Sequence, residues 1–351
     1  MILLCYGTRP ELIKLFPLVL ELKKQCIDYE TLFTGQHKHL IKEYKHLIDK
    51  PTYTFNIFKK GQDLDNLYAK ILRKCNKLFT KNILKFKLVI IQGDTTSGTA
   101  IAHSAFHHRI KIAHIEAGLR SYNKYSPFPE EINRSIISKL ADYHFAPTQI
   151  AYENLIKENI SNNKIYLVGN TIVDAISYFK FQIEYRDQIL ITLHRRENWG
   201  YRINKLLKQI NFCAKKYPNT KFIFLSHPNR DSKQFKYLTH FNIEIIPPQD
   251  YKTMLEIISK ALFIITDSGG IQEEAVCMGK KIMICRDTTE RPEVIDLGFG
   301  KLVGHSIINS FDYFYQNYKI KSNNPYGEKV SEKIVNIIKK NTYILRHINR
   351  L

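Results

Sequence analysis

Short, uninterrupted apolar runs recur down this chain, each followed by a stretch with helical spacing, and that alternation constrains the fold most. Ile2–Tyr6, Tyr29–Thr34, Leu88–Gln92, Lys111–Ile115, Tyr143–Ala146 and Ile165–Val168 read as strands in the first half. Pro10–Gln25, Asp65–Leu84 and Ser97–His108 carry apolar residues at helical spacing between them. The pattern restarts with Ile189–Leu193, Phe222–Leu225, Ile243–Ile246, Leu262–Ile265 and Ile282–Cys285. Runs of Ile, Leu, Val and Phe without polar alternation belong to strands buried on both faces, as in parallel sheets. The expected fold class is α/β: two doubly wound, Rossmann-like parallel-sheet domains facing a cleft, with ligands at the carboxyl ends of the strands.

At 351 residues the chain exceeds one ordinary core, so two domains are expected. The polar stretch 169–188 is the natural seam, giving domains 1–168 and 169–336, and the amphipathic segment Gly327–Leu351 fits on either. Hydrophobic residues make up 44% and charged residues 25%, the balance of a globular protein. No apolar run approaches the ~18 residues that span a bilayer. Met1–Tyr6 reads as a strand and not as an export leader, so a cytoplasmic protein without membrane insertion is expected.

Lys and Arg total 53 against 33 Asp and Glu, a formal charge of +20. The lysines are scattered without a basic block, so nucleic acid is not an expected partner, although the charge favours approach of an anionic ligand. The six cysteines form no C-x-x-C pair and read as reduced thiols. His103, His107 and His108 lack the Glu of H-E-x-x-H and a third ligand, so no metal is expected. Neither G-x-G-x-x-G after the first strand nor a P-loop is present, and no cofactor is expected.

The chemistry gathers in loops at strand ends. Thr266-Asp-Ser-Gly-Gly-Ile-Gln-Glu-Glu-Ala275 follows an apolar run and opens a helix, a place where backbone N–H groups and the dipole favour phosphate. Ser268, Gly269 and Gly270 are expected to let a diphosphate approach the backbone, through glycine's freedom at positive φ and its missing Cβ. Glu274 is set to accept from a sugar hydroxyl pair. Gly7-Thr-Arg-Pro-Glu11 puts Arg9 and Lys14 near another helix start, suited to a diphosphate. Asp94 in Gln92–Ser97, Glu116 in His114–Ser121, and Glu130 or Glu131 in Ser126–Arg134 cluster at strand ends. Uncompensated carboxylates raise one another's pKa, which would provide proton donors and acceptors near neutral pH. His194 with Arg195 and Arg196, and Arg291 in Arg286–Glu293, add cationic groups for a leaving diphosphate.

Together these motifs resemble the non-hydrolysing UDP-N-acetylglucosamine 2-epimerases of bacteria. The matching stretches are G-T-R-P-E at 7–11, Q-G-D-T-T-S at 92–97, H-I-E-A-G-L-R-S at 114–121 and P-F-P-E-E-I-N-R at 127–134. They continue with V-G-N-T-I-V-D at 168–174, H-R-R-E-N at 194–198, T-D-S-G-G-I-Q-E-E-A at 266–275 and R-D-T-T-E-R-P-E at 286–293. The resemblance implies a glycosyltransferase-B type fold whose last helix, about 337–351, packs back on the first domain. It implies reversible C2 epimerisation of UDP-GlcNAc to UDP-ManNAc, through elimination of UDP to 2-acetamidoglucal and re-addition. Another UDP-2-acetamido sugar stays open as substrate. A glycosyltransferase of the same build is the rival reading, but it would need one acid/base and not three carboxylates.

By resemblance, Asp94, Glu116 and Glu130 match the family's acid/base carboxylates, and His194 its histidine near the diphosphate. Arg9, Lys14, Gln249, Ser268, Gly269, Gly270, Glu274 and Arg291 match its nucleotide contacts. Gln36, His37, Arg195 and His227 resemble its activator site for a second UDP-GlcNAc, with His39 where the family often has Gln. A homodimer supplying a surface-polysaccharide pathway is expected on the same ground.

Overall fold

The computed structural model describes residues 1–36, 44, 46–57, 61–195, 198, 200–226 and 232–348. The chain divides into two compact units, Met1–Tyr178 with Tyr326–Leu351, and Phe179–Pro325. Among the described residues, no helix is long and apolar enough to cross a membrane.

The first unit holds strands β1 (Ile2–Tyr6), β2 (Tyr29–Phe33), β3 (Tyr53–Thr54), β4 (Leu88–Gln92), β5 (Lys111–Ile115), β6 (Tyr143–Ala146) and β7 (Ile165–Leu167). Its helices are α1 (Arg9–Lys24), α2 (Leu64–Lys81), α3 (Thr96–His107), α4 (Glu130–Leu140), α5 (Gln149–Lys157) and α6 (Ile172–Phe179). The sheet runs β3-β2-β1-β4-β5-β6-β7 with neighbours parallel. The order reverses between β1 and β4, where open α/β sheets bind ligands at the strand carboxyl ends. Every residue of β1 and β4 is buried, as their continuous apolar runs require. Leu3, Val89, Ile91 and Ile112 pack against Ile71 and Phe79 of α2 and Ile101 of α3. Asp63 caps α2 through the Asn66 N–H at 2.7 Å, and Thr95 caps α3 through the Gly98 N–H at 2.9 Å.

The second unit repeats the design with β8 (Gln188–Thr192), β9 (Lys221–Leu225), β10 (Ile243–Ile246), β11 (Phe263–Thr266), β12 (Lys281–Ile284) and β13 (Gly300–Leu302). Its helices are α7 (Tyr201–Lys216), α8 (Tyr251–Lys260), α9 (Gly269–Cys277), α10 (Pro292–Asp296) and α11 (Ile308–Gln316). The parallel order β10-β9-β8-β11-β12-β13 reverses between β8 and β11. Its core is aromatic: Phe311 of α11 stacks on Phe222 with ring centroids 5.9 Å apart and meets the edge of Phe263 at 5.4 Å. Strands β3 and β13 were not expected. Two and three residues long, they carry no apolar run from which periodicity can be read.

The chain then returns as α12 (Val330–Ile348), which packs on α1 and accepts from the Gln25 amide through Asn336 Oδ1 at 3.0 Å. The V-G-N-T-I-V-D stretch receives it. Gly169, at φ +103°, leaves room for the Tyr326 carbonyl, into which any Cβ would run. That carbonyl accepts from the Asn170 N–H at 3.0 Å, and the Asp174 carboxylate accepts from the N–H groups of Val330 at 3.2 Å and Ser331 at 2.6 Å. Of the two placements that the sequence allowed, the closing helix takes the first unit.

Candidate active site

In the first unit, the loops after β1, β4 and β5 are tied into one framework. Glu11, in the first turn of α1 and almost fully buried, accepts from the Gly7 N–H at 3.0 Å and the Thr8 N–H at 2.8 Å. Its other oxygen accepts from Thr95 Oγ at 2.7 Å, which joins G-T-R-P-E to Q-G-D-T-T-S. Burial pushes the Glu11 carboxyl above its usual range, against the pull of these three donors and the Thr8 hydroxyl, which donates at 2.8 Å. His114, fully buried on β5, donates from Nε2 to the Gly93 carbonyl at 2.7 Å and so holds the loop bearing Asp94. Burial lowers its pKa to about 3, so the ring is neutral and the Nε2–H tautomer is set by that carbonyl.

Gln92 of β4 lies opposite Ile115 of β5, so Asp94 and Glu116 leave neighbouring strand ends. Glu116 adopts φ +65°, a left-handed conformation that is costly for a side chain of its size. A Cβ on Gly93 would lie 3.8 Å from Glu116 Oε2, ordinary contact distance. The carboxylates are not uncompensated, as the sequence suggested. The Lys14 ammonium sits 2.5 Å from Glu116 Oε1, with both side chains buried, and the Gln92 amide donates to Oε2. Asp94 is paired with the Arg134 guanidinium, and its carbonyl accepts from the Asn133 amide at 2.9 Å. Lys14, expected at a diphosphate, is thus a partner of Glu116. One turn of helix beyond Pro10 puts it over the end of β5.

The N-terminus of α4 gives Glu130 and Glu131 different surroundings. Glu131 accepts from the Ser121 and Tyr122 N–H groups at 3.0 Å each and pairs with Arg134 at 3.2 Å, a structural role. Glu130, half-buried in the first turn of the same helix, remains the candidate. Arg9 opens α1 with its guanidinium 5.6 Å from the centre of the Tyr44 ring. Gln36 accepts from Ser97 Oγ at 2.6 Å. Gly118, at φ +91°, packs where a Cβ would run into the Ala151 carbonyl, so the turn after Glu116 admits only glycine.

In the second unit, Asp267 organises the site. Fully buried, it accepts from the His194 N–H at 2.9 and 3.0 Å, the Arg195 N–H at 3.0 Å and the Asn198 amide at 2.9 Å. T-D-S-G-G thereby holds the H-R-R-E-N loop, and His194 Nδ1 lies 3.5 Å from Asp267 Oδ1. Ser268 precedes α9, and Gly269 and Gly270 are its first residues. Neither glycine has a positive φ, contrary to expectation; what they contribute is the missing Cβ. On Gly269 it would lie 2.9 Å from Arg291 Nη1, and around Gly270 it would meet open space. Arg291 was expected to face a diphosphate. Its guanidinium binds Glu273, with Nε at 2.7 Å, and Glu290. Glu274 is buried in α9, and Gln249, in the loop after β10, donates to the Pro247 carbonyl at 2.7 Å. His37, His39, Arg196 and His227 lie outside the described residues.

The residues that sequence reading missed are Glu11, Gln92, Arg134, Glu273, Glu290 and Asp267. All sit inside the motifs already singled out, and the signal was their polarity at positions that strands and helix starts bury. Among the described residues, no three His, Cys, Asp or Glu side chains are grouped to hold a metal.

The profile of a family described as UDP-N-acetylglucosamine 2-epimerase matches residues 20–339. This chain belongs to that family. It is 38% identical to the UDP-N-acetylglucosamine 2-epimerase of Campylobacter jejuni, over 96% of this chain and 97% of that protein. It resembles the solved structure of the Neisseria meningitidis UDP-GlcNAc 2-epimerase bound to UDP-GlcNAc, at 36% identity and a TM-score of 0.86, covering 97% of this chain and 99% of that one. The Methanocaldococcus jannaschii UDP-GlcNAc 2-epimerase, in complex with UDP-GlcNAc and UDP, is similar at 34% identity and a TM-score of 0.82, over the same shares. The two parallel-sheet α/β units are thus the fold of the 2-epimerase family.

Proposed function

We propose that this chain interconverts UDP-GlcNAc and UDP-ManNAc. The observation that carries the proposal is the placement of Asp94 and Glu116 just beyond adjacent carboxyl strand ends, in a chain of the 2-epimerase family. The C2 proton lies next to no carbonyl, so its direct removal is unfavourable. A carboxylate takes that proton as the C1–O bond to UDP breaks, which leaves a C1=C2 double bond in 2-acetamidoglucal. UDP then adds back at C1 while a proton is delivered to the opposite face of C2. Asp94, Glu116 and Glu130 supply the proton transfers, and Lys14 and Arg134 hold two of these carboxylates in place.

In the second unit the α9 N-terminus at Ser268, Gly269 and Gly270 receives the diphosphate, with its dipole favouring the developing charge. His194 stands beside it, oriented by Asp267. Glu274 takes the ribose hydroxyls, Gln249 and Arg9 complete the nucleotide contacts, and Arg291 acts through Glu273 and Glu290 by fixing the floor under Gly269. Gln36 and Arg195, with His37 and His227, serve a second, activating UDP-GlcNAc. The reading includes a cytoplasmic homodimer, which the family resemblance supports.

Proton NMR of UDP-GlcNAc with the purified protein in D2O tests the proposal. Conversion to UDP-ManNAc with deuterium at C2 is expected, and bridging oxygen-18 should scramble into non-bridging diphosphate positions. Free ManNAc as product, or an unchanged spectrum, overturns it.

A further inference from the structure

A cavity of about 630 Å³ opens in the second unit at the end of the sheet away from Ser268–Gly270. Strands β11 and β12 are parallel, with Phe263 opposite Lys281 and Thr266 opposite Ile284. The α9 N-terminus follows the Thr266 end. Lys281, which lines the cavity, begins the other end, so this is a separate place on the unit. Lys319 and Lys321, from the segment after α11, line it as well, together with Tyr313, Gln316 and Asn317, and no Asp or Glu does. The nearest acidic residue on α11, Asp312, is engaged by Lys216 at 2.5 Å and Tyr217 at 2.8 Å.

The plain explanation is that these lysines offset the negative ends of α10 and α11. Two helix ends carry at most about −1 charge together. Three lysines line the cavity, about two positive charges more than those helix ends offset. The size falls within the ~300–1,000 Å³ of small-molecule sites and far exceeds a bare phosphate ion. Tyr313, 59% exposed, presents its ring with Lys281 Nζ 5.2 Å from the ring centre, and burial holds the Lys281 pKa below the ordinary lysine range. An anion beside it would favour the charged form.

We infer that this cavity binds a phosphorylated small molecule, its phosphate on Lys281, Lys319 and Lys321 and its ring against Tyr313. Gln316 adds a side-chain amide suited to hydroxyl groups, while the Asn317 amide donates to the Tyr313 carbonyl at 3.0 Å. The site is independent of the proposed chemistry and gives the enzyme a second place to sense a metabolite.

Calorimetry on the full chain, with UDP saturating the α9 site, tests this with three probes: AMP, glucose 6-phosphate and inorganic phosphate. Saturable binding of AMP or glucose 6-phosphate is expected, at least tenfold weaker in Lys319→Gln/Lys321→Gln, with epimerase turnover in the absence of probe unchanged. Tyr313→Ala, at an exposed position, should weaken the same probe. Absence of saturable binding by either organic phosphate overturns the inference, as does equal affinity in the parent and the lysine variant. Inorganic phosphate binding as tightly as the organic probes also overturns it, since the cavity would then be a bare-ion site.

Discussion

Replacing Asp267 with Asn keeps shape and removes charge at the point on which the second unit's loops converge. The carboxylate accepts from three donors, the His194 and Arg195 N–H groups and the Asn198 amide, with no solvent exposure. Hydrogen bonds to a charged acceptor are worth ~1.5–3 kcal/mol and neutral ones ~0.5–1.5, so each donor loses about 1 kcal/mol. In its best orientation the new amide keeps its oxygen at the Oδ2 position, facing Arg195 and Asn198. Its NH2 group then stands at the Oδ1 position, 2.9 Å from the His194 nitrogen, donor against donor. The expected loss is about 3 kcal/mol, which at a urea slope of ~2 kcal/mol/M lowers the midpoint by about 1.5 M. Trp199 is the chain's one tryptophan and follows Asn198 directly, so its emission reports on this segment during unfolding. Turnover should fall in parallel, because His194 loses its anchor. A midpoint within about 0.3 M of the parent, with turnover intact, would refute the account of Asp267 as organiser.

Asp94→Asn, Glu116→Gln and Glu130→Gln should each lower kcat at least ~10²-fold while UDP still binds, read by titration and by the NMR assay; near-normal turnover in all three would remove the proton-transfer assignment. Gly118→Ala should cost about 3 kcal/mol, from φ strain and the collision with the Ala151 carbonyl, measured as a urea midpoint. Buried His144 has its pKa lowered to about 4 by desolvation, against ~6.5 unfolded. The unfolded chain therefore binds the proton first, and this contribution is whole above pH 6.5 and drains away as pH falls towards 4. Between pH 7.5 and 5, His144→Phe should lose about 2 kcal/mol less stability than the parent; parallel losses would exclude His144 as a source of acid sensitivity.

The parallel sheets were legible because β1, β4, β8 and β11 are buried on both faces and so carry no polar alternation. Two of the four edge strands were not: Tyr53–Thr54 and Gly300–Leu302 are short, and the backbone pairing that defines them leaves no side-chain pattern. At the site, the sequence singled out the loops but not the side-chain partners that its charges find inside them. Lys14 and Arg291 stood out as cations near helix starts, and nothing local revealed that Glu116, 102 residues away, and Glu273 would engage them. The same limit applies to Asp267. Its position next to Ser268 and Gly269 was evident, whereas its grip on the His194 loop depends on β8 and β11 lying side by side. Pairings between distant segments follow from topology, which periodicity supplies only in outline.

The route of the chain sets an order on its own synthesis. Tyr326–Leu351 belongs with Met1–Tyr178, yet all of Phe179–Pro325 is made in between. The apolar positions Val330, Ile334, Val335 and Ile338, buried in the finished protein, do not exist while the second unit is emerging. Until they are added, the groove on α1 that receives them lies open to water, and a nascent chain with such a surface is vulnerable to association with its neighbours. A rearranged chain in which residues 326–348 precede Met1, joined by a flexible linker, would translate the first unit as one continuous stretch and shorten that exposure.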